Sequence, residues 1–246
     1  MLYDKDIREP LFEFLEETYG KIRILEEKTM GKSRADIVMV TPDGLYGIEI
    51  KSDADTYARL AGQIKDYDKY FDYNIAVVGS SHGLHICEHV PDYWGIVTVE
   101  LEKGNPDFYF LRKPRANPKM KWNQKLSILW RPELAQIQEW NGMPKYKDKS
   151  KSFVCSKIAE QIPEKITEEL LKKQVSDQLF ERDYTQVLRL LADYRKSELK
   201  KQLERESDPA KQLELTMKQA KIRDTFGKKR KKKTGGGRYA FSNHSK

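Results

Sequence analysis

The sequence predicts an α/β domain built on a mixed sheet, and three observations carry that prediction. Apolar runs of strand length recur between residues 21 and 112, separated by Gly, Pro, Asn and Asp turn signals. An amphipathic stripe of Tyr57, Leu60, Ile64, Tyr67 and Phe71 interposes a helix after the third run. The order that results is a helix, three strands, a helix, a strand and further strands.

Ile7, Leu11, Phe14 and Leu15 stand at helical spacing in the first segment, and Pro10 suits only a first turn, so the regular helix is expected from about Glu9 to Tyr19. Ile22 and Ile24 alternate with charges over 21–29, which reads as a strand. Residues 34–51, RADIVMVTPDGLYGIEIK, read as two strands joined at Thr41-Pro42-Asp43-Gly44. Ser52, Asp53, Asp55 and Thr56 offer caps for the helix that runs to Phe71, with Asp53 and Asp55 read as capping residues. Strands are expected at 74–79, 85–88, 95–100 and, at an edge, 108–112. Residues 126–140 read as one helix.

A polar connection at 141–151 precedes helices expected at 152–160 and 164–181, broken at Pro163. Residues 184–226 form a charged helical tract with a Ser-Asp-Pro break. The organisation expected is therefore a domain over 1–140, an all-α C-terminal extension over 141–226, and a basic disordered tail over 227–246. An apolar content of 38% beside 34% charged residues fits one core plus an appendage. No apolar run approaches the roughly 20 residues of a membrane helix, and the start MLYDKDIREP lacks a charged-then-apolar leader. Cys87 and Cys155 have no paired spacing. A reduced, cytoplasmic protein without membrane contact is expected.

The net charge of +8 has a distinct location. Residues 227–246 carry eight Lys/Arg and no acids, which leaves 38 basic against 38 acidic residues in 1–226. Such a tail reads as an electrostatic arm on nucleic acid, through Lys228, Lys229, Arg230, Lys231, Lys232 and Lys233. Arg59 is a further phosphate-binding candidate.

The chemistry lies in 34–51. Asp36 interrupts the first apolar run, and Glu49 and Lys51 lie two apart on one face of the second. Three charges within the most strand-like segment are costly to bury unless something satisfies them. A cross-strand salt bridge on an exposed face is one answer. The flanking Ile37, Val38, Ile48 and Ile50 favour a central strand and a divalent cation instead. Mg2+ takes hard oxygens, which Asp36, Glu49 and the carbonyl of Ile50 supply, and Lys51 is then placed to orient or deprotonate a water. Gln63 and Tyr67, four apart, share one face of the following helix. His82, His85 and His89 lack partners at zinc spacing and read as solvated.

Arg34-Ala35-Asp36, twelve residues, then Glu49-Ile50-Lys51, followed by Gln63-x-x-x-Tyr67, resembles the PD-(D/E)XK nuclease superfamily in its RecB and lambda-exonuclease branch. The longer run GIEIKSDADTYARLAGQIKDYDKYFD, with VVG and PDYWGIVTV after it, resembles a bacterial and phage group within that superfamily. The resemblance covers about residues 5–140. It implies a restriction-endonuclease-like mixed sheet flanked by helices, Mg2+ or Mn2+ as cofactor, and DNA as substrate. It implies catalytic roles for Asp36, Glu49, Lys51, Gln63 and Tyr67, with metal held by Asp36, Glu49 and Ile50. The superfamily also tends to carry a helical acid upstream; Glu9, Glu13, Glu16 and Glu17 on the first helix qualify, as do Glu26 or Glu27 on the next strand, and Glu13 is favoured. Ala35 departs from the superfamily's usual proline. A nuclease fold that binds nucleic acid without turnover is the alternative, and the C-terminal helices are candidates for DNA binding or homo-oligomerisation.

Overall fold

In a computed structural model the described residues are 4–53, 55–83 and 85–183, with short pieces at 197, 199–203, 208 and 211–217. Two compact units divide the chain, the first running from the N-terminus through Glu181 and the second starting at Arg182. Helical pieces at 199–203 and 211–217 make up most of what is described of the second unit, beside residues 182–183, 197 and 208. The basic tail, with Lys228, Lys229, Arg230, Lys231, Lys232 and Lys233, lies outside the described residues.

The first unit opens with helix α1 (Asp4–Tyr19), followed by strands β1 (Arg23–Met30), β2 (Ser33–Thr41) and β3 (Gly44–Lys51). A short 3-10 turn at Tyr57–Arg59 leads into α2 (Leu60–Tyr70), then β4 (Tyr73–Gly79) and two single-turn helices, α3 (Ser80–Gly83) and α4 (Ile86–His89). Strands β5 (Gly95–Glu102) and β6 (Asn105–Arg112) complete the sheet, and α5 (Trp122–Leu126), α6 (Arg131–Trp140), α7 (Lys151–Ala159) and α8 (Glu168–Glu181) follow. The six strands lie in chain order. β1, β2 and β3 pair antiparallel, β3, β4 and β5 pair parallel, and β6 returns antiparallel. The mixed α/β sheet read from the sequence is the sheet observed.

Alternation along the strands divides the sheet into two faces. Ile37, Met39, Ile48, Ile50, Ile75, Val77, Val97 and Val99 pack with Ile7, Leu11 and Leu15 of α1. The opposite face carries Asp36, Glu49 and Lys51 and receives α2. Glycine at 47 makes that docking close, because a Cβ there would lie 2.2 Å from the Phe71 ring. All eight residues of β3 are buried, as befits a central strand.

Several elements differ from expectation. α1 begins at Asp4 and takes Pro10 into its interior, because Ile7 is fully buried and Arg8 pairs with Asp4 one turn earlier at 2.7 Å. Residues 85–88 form no strand; Ile86 alone of the central pair is buried, and it anchors the single turn α4. The helix expected over 126–140 is split, with Pro132 in the first turn of α6 and the Trp130 amide donating to Glu133 Oε2 at 2.5 Å. Asp55 accepts from the Ser52 amide and hydroxyl at 2.9 and 2.7 Å, while Thr56 makes no side-chain cap bond. The helices expected to open an extension at 141 belong to the first unit: Arg23 Nη1 donates to the Leu179 and Phe180 carbonyls at 2.7 and 2.6 Å, tying β1 to the end of α8. Among the described residues, no helix is long and apolar enough to cross a membrane.

Candidate functional site

The last ladder pair between β2 and β3 is Ile37 with Ile48, so the next register position sets Asp36 opposite Glu49. On the other side, β1 pairs Glu26 with Ile37 and Lys28 with Ala35, which sets Glu27 opposite Asp36. Glu27 adopts φ +54°, a left-handed conformation rare for a side-chain-bearing residue. The ladder on both sides of Asp36 therefore opens at that residue. Its Oδ2 accepts the Ile50 amide at 2.9 Å.

α2 closes the arrangement from above. Lys51 Nζ donates to Glu49 Oε1 at 2.7 Å and to Gln63 Oε1 at 3.1 Å, and Gln63 Nε2 donates to the same Glu49 oxygen. Tyr67 OH donates to Glu49 Oε2 at 2.6 Å and accepts the Asp36 amide at 3.3 Å. Glu49, Lys51 and Tyr67 are 1, 3 and 0% exposed. The i, i+4 spacing of Gln63 and Tyr67 brings both onto one carboxylate.

Burial pushes the Asp36 carboxyl up to about 7, and the Glu49 charge adds to the shift, against the Ile50 amide and the Arg8 guanidinium. The Tyr67 phenol is held well above its ordinary value by burial and by the same two carboxylates. Asp36 and Glu49 stand in the wall of a cleft of about 1170 Å3. Arg8 occupies its rim, with Nη2 2.7 Å from Glu27 and 3.7 Å from Asp36 Oδ1. Arg34, also on the lining, pairs with Glu27 at 2.7 Å.

The cleft thus brings together Asp36, Glu49, Ile50, Lys51 and Gln63, with Tyr67 bonded behind them, and Arg59 lies exposed on its lining. Glu13 does not join them: it is exposed on α1, outside the lining. The α1 acid that reaches the cleft is Asp4, nine residues earlier, because the helix begins before Pro10. Arg8, Lys32, Lys65 and Lys69 also line it and escaped the sequence reading. The i, i+4 spacing of Asp4 and Arg8 signals the earlier turn, which a helix started near Glu9 leaves out. His82 and His89 pack their rings on Tyr57, at 5.0 and 4.2 Å between centroids.

The donor set suits a hard divalent cation. In an extended strand the N–H and C=O of one residue point to the same neighbour, so the Ile50 carbonyl projects to the side on which its amide meets Asp36. The repulsion between Asp36 and Glu49 is what a cation would relieve. Among the described residues, no three His, Cys, Asp or Glu side chains gather at ligand spacing. Two carboxylates and one carbonyl are the donors that a hard divalent cation would find here.

A solved structure, SfsA of Pyrococcus furiosus in complex with Ca2+, is similar at 17% identity over 43% of this chain, with a TM-score of 0.27. The chain spans 59% of the length of that protein. Comparison with curated proteins finds no match. The family described as Bacteriophage P4 protein cII matches residues 2–204, most of the chain, including every described site residue. The chain belongs to the Bacteriophage P4 protein cII family.

Proposed function

We propose that this protein is a metal-dependent nuclease of the PD-(D/E)XK class that hydrolyses phosphodiester bonds in DNA. The observation that carries the reading is the convergence of Asp36, Glu49, Lys51 and Gln63 on one cleft wall. Two strands and a helix supply them.

An ammonium has three donors. Lys51 spends two on Glu49 and Gln63, and the third is left for the attacking water or for a phosphate oxygen as charge develops there. Gln63 and Tyr67 fix the Glu49 carboxylate in one rotamer, which holds Lys51 in turn. Asp36 is held by the Ile50 amide. Asp36, Glu49 and the Ile50 carbonyl would hold Mg2+ or Mn2+, and a bound ion supplies Lewis-acid polarisation of the phosphate and a more acidic water. In the hydrolysis the water oxygen bonds to phosphorus, the bridging P–O bond breaks, and the departing oxygen takes up a proton. Arg59, exposed on the lining, is placed to meet non-bridging phosphate oxygens.

A second reading, a nuclease fold that binds nucleic acid without cleaving it, draws on one observation. Both Glu49 oxygens already accept hydrogen bonds from protein donors. Incubation of the wild type, Lys51→Ala and Asp36→Ala with linear, circular and single-stranded DNA and with RNA, with and without Mg2+, decides between them. Mg2+-dependent cleavage by the wild type and none by either variant is expected. Undiminished cleavage by either variant sinks the assignment of this site, and a wild type that binds without cutting establishes the second reading.

A further inference from the structure

The balanced charge of residues 1–226 conceals a strong segregation. Residues 113–157 hold eleven lysines and arginines against three acids, a net of +8 equal to that of the whole chain. One of the three acids, Glu133, is 8% exposed and accepts the Trp130 amide. The remainder of 1–226 is correspondingly net acidic.

Contacts join this segment to the cleft. Lys65 and Lys69 of α2 line the cleft, as does Gln124 of α5. The Lys121 amide, just before α5, donates to the Lys69 carbonyl at 3.0 Å. At the far end of α5, the Ser127 carbonyl accepts Lys151 Nζ at 2.6 Å. Arg131 donates to the carbonyls of Tyr146 and Lys149, which draws the 145–149 connection onto the start of α6. The Phe153 ring lies 5.8 Å from Lys149 Nζ and 5.7 Å from Lys157 Nζ, and packs edge-on against Tyr146. Lys121, Lys149 and Lys151 are exposed, and no carboxylate among the described residues stands within ion-pair distance of them. An exposed lysine without an acid partner is ordinary. A file of them leading out of a cleft, held by backbone carbonyls and an aromatic ring, is a counter-surface for a polyanion.

We infer that the face formed by α5, the 145–149 connection and the start of α7 is a phosphodiester-backbone track, which receives the nucleic acid where it leaves the cleft at Lys69 and Gln124. From the preceding reading this takes only that the cleft receives nucleic acid. The track reads no base sequence: Lys121, Lys149 and Lys151 present point charges, which grip phosphates and position the strand. It lengthens the bound segment beyond the nucleotides in the cleft and adds its own share of counterion release.

The test uses the full chain in EDTA, so that binding is read without cleavage. Fluorescence anisotropy follows the triple variant Lys121→Gln, Lys149→Gln, Lys151→Gln on single-stranded and duplex DNA long enough to leave the cleft. Loss of three phosphate contacts lowers the slope of log K against log salt by about 2 on a single strand and nearly 3 on a duplex, and weakens binding by at least about tenfold near physiological salt. The double variant Lys121→Gln, Lys149→Gln keeps the Lys151–Ser127 bond and retains most of the effect, which guards against misfolding of the triple. Unchanged affinity and slope in both variants overturn the track. A cleft variant, Arg59→Gln with Lys65→Gln, runs in parallel. If only that pair weakens binding, the track fails while the cleft stands. Failure of the nuclease reading would show separately, as absent Mg2+-dependent cleavage with the triple variant's binding defect intact.

Discussion

Tyr67 reaches across from α2 to Glu49 at 2.6 Å while its own oxygen accepts the Asp36 amide at 3.3 Å. One phenol therefore bridges the two acids of the site from a position with no solvent exposure. Tyr67→Phe strands a buried carboxylate oxygen and a backbone amide, at a cost of about 1–3 kcal/mol. Thermal unfolding should show a midpoint lower by roughly 3–10 °C, together with reduced turnover from a Glu49 that is no longer held. A wild-type midpoint would show that the bond carries no stability.

Asp36 makes the opposite prediction. Its carboxyl is raised from 3.8 to about 7 in the fold, so the native state binds the proton more tightly than the unfolded chain. That stabilisation is complete below the unfolded value and is lost as pH rises through about 7. In the absence of divalent metal, Asp36→Asn should therefore be more stable than the wild type at about pH 8, by on the order of 2 kcal/mol, and show no gain near pH 4. Thermal melts across that range in EDTA check it. Mg2+ should close the gap by stabilising the wild type alone.

Lys125 and Asp72 form a buried pair, 0 and 4% exposed at 2.6 Å. Asp72 Oδ2 also accepts the Leu45 amide at 2.8 Å, which pins the turn where β3 begins. Lys125→Met leaves that carboxylate unpaired and should cost about 3–5 kcal/mol. Adding Asp72→Asn should recover part of the loss in chemical denaturation, since an amide oxygen still accepts from Leu45.

Removal of residues 227–246 deletes eight cationic residues and no acid. Weaker nucleic-acid binding and a shallower salt dependence are expected, each lost phosphate contact lowering the slope by about 0.7–0.9. Filter binding at several salt concentrations measures both. An unchanged slope would remove the tail from the backbone.

Much of this site was legible before any fold was known, because its rules are local. Alternation put Glu49 and Lys51 on one face, and helical spacing put Gln63 with Tyr67. What was hidden depends on context. Pro10 is a start signal by propensity, yet burial of Ile7 and the Arg8–Asp4 pair carry α1 past it, so the first-turn acid that lines the cleft, Asp4, falls outside a helix started near Glu9. No propensity announces the positive φ of Glu27, which arises where the ladder opens beside Asp36. The split between α5 and α6 follows a first-turn proline at 132, read instead as an interior residue of one long helix. Summing the charge over 1–226 cancels a basic segment against an acidic remainder, so the neutral total conceals both.

Gly47 has no side chain to offer the site. Yet a methyl group there would meet the Phe71 ring at 2.2 Å, and relief would require α2 to rise from the sheet by an ångström or more. Gln63 and Tyr67 ride on that helix, and hydrogen bonds do not survive such a displacement. The tolerance of the whole assembly is therefore set by an empty position on β3: the gauge that spaces helix from strand is the side chain this residue does not have.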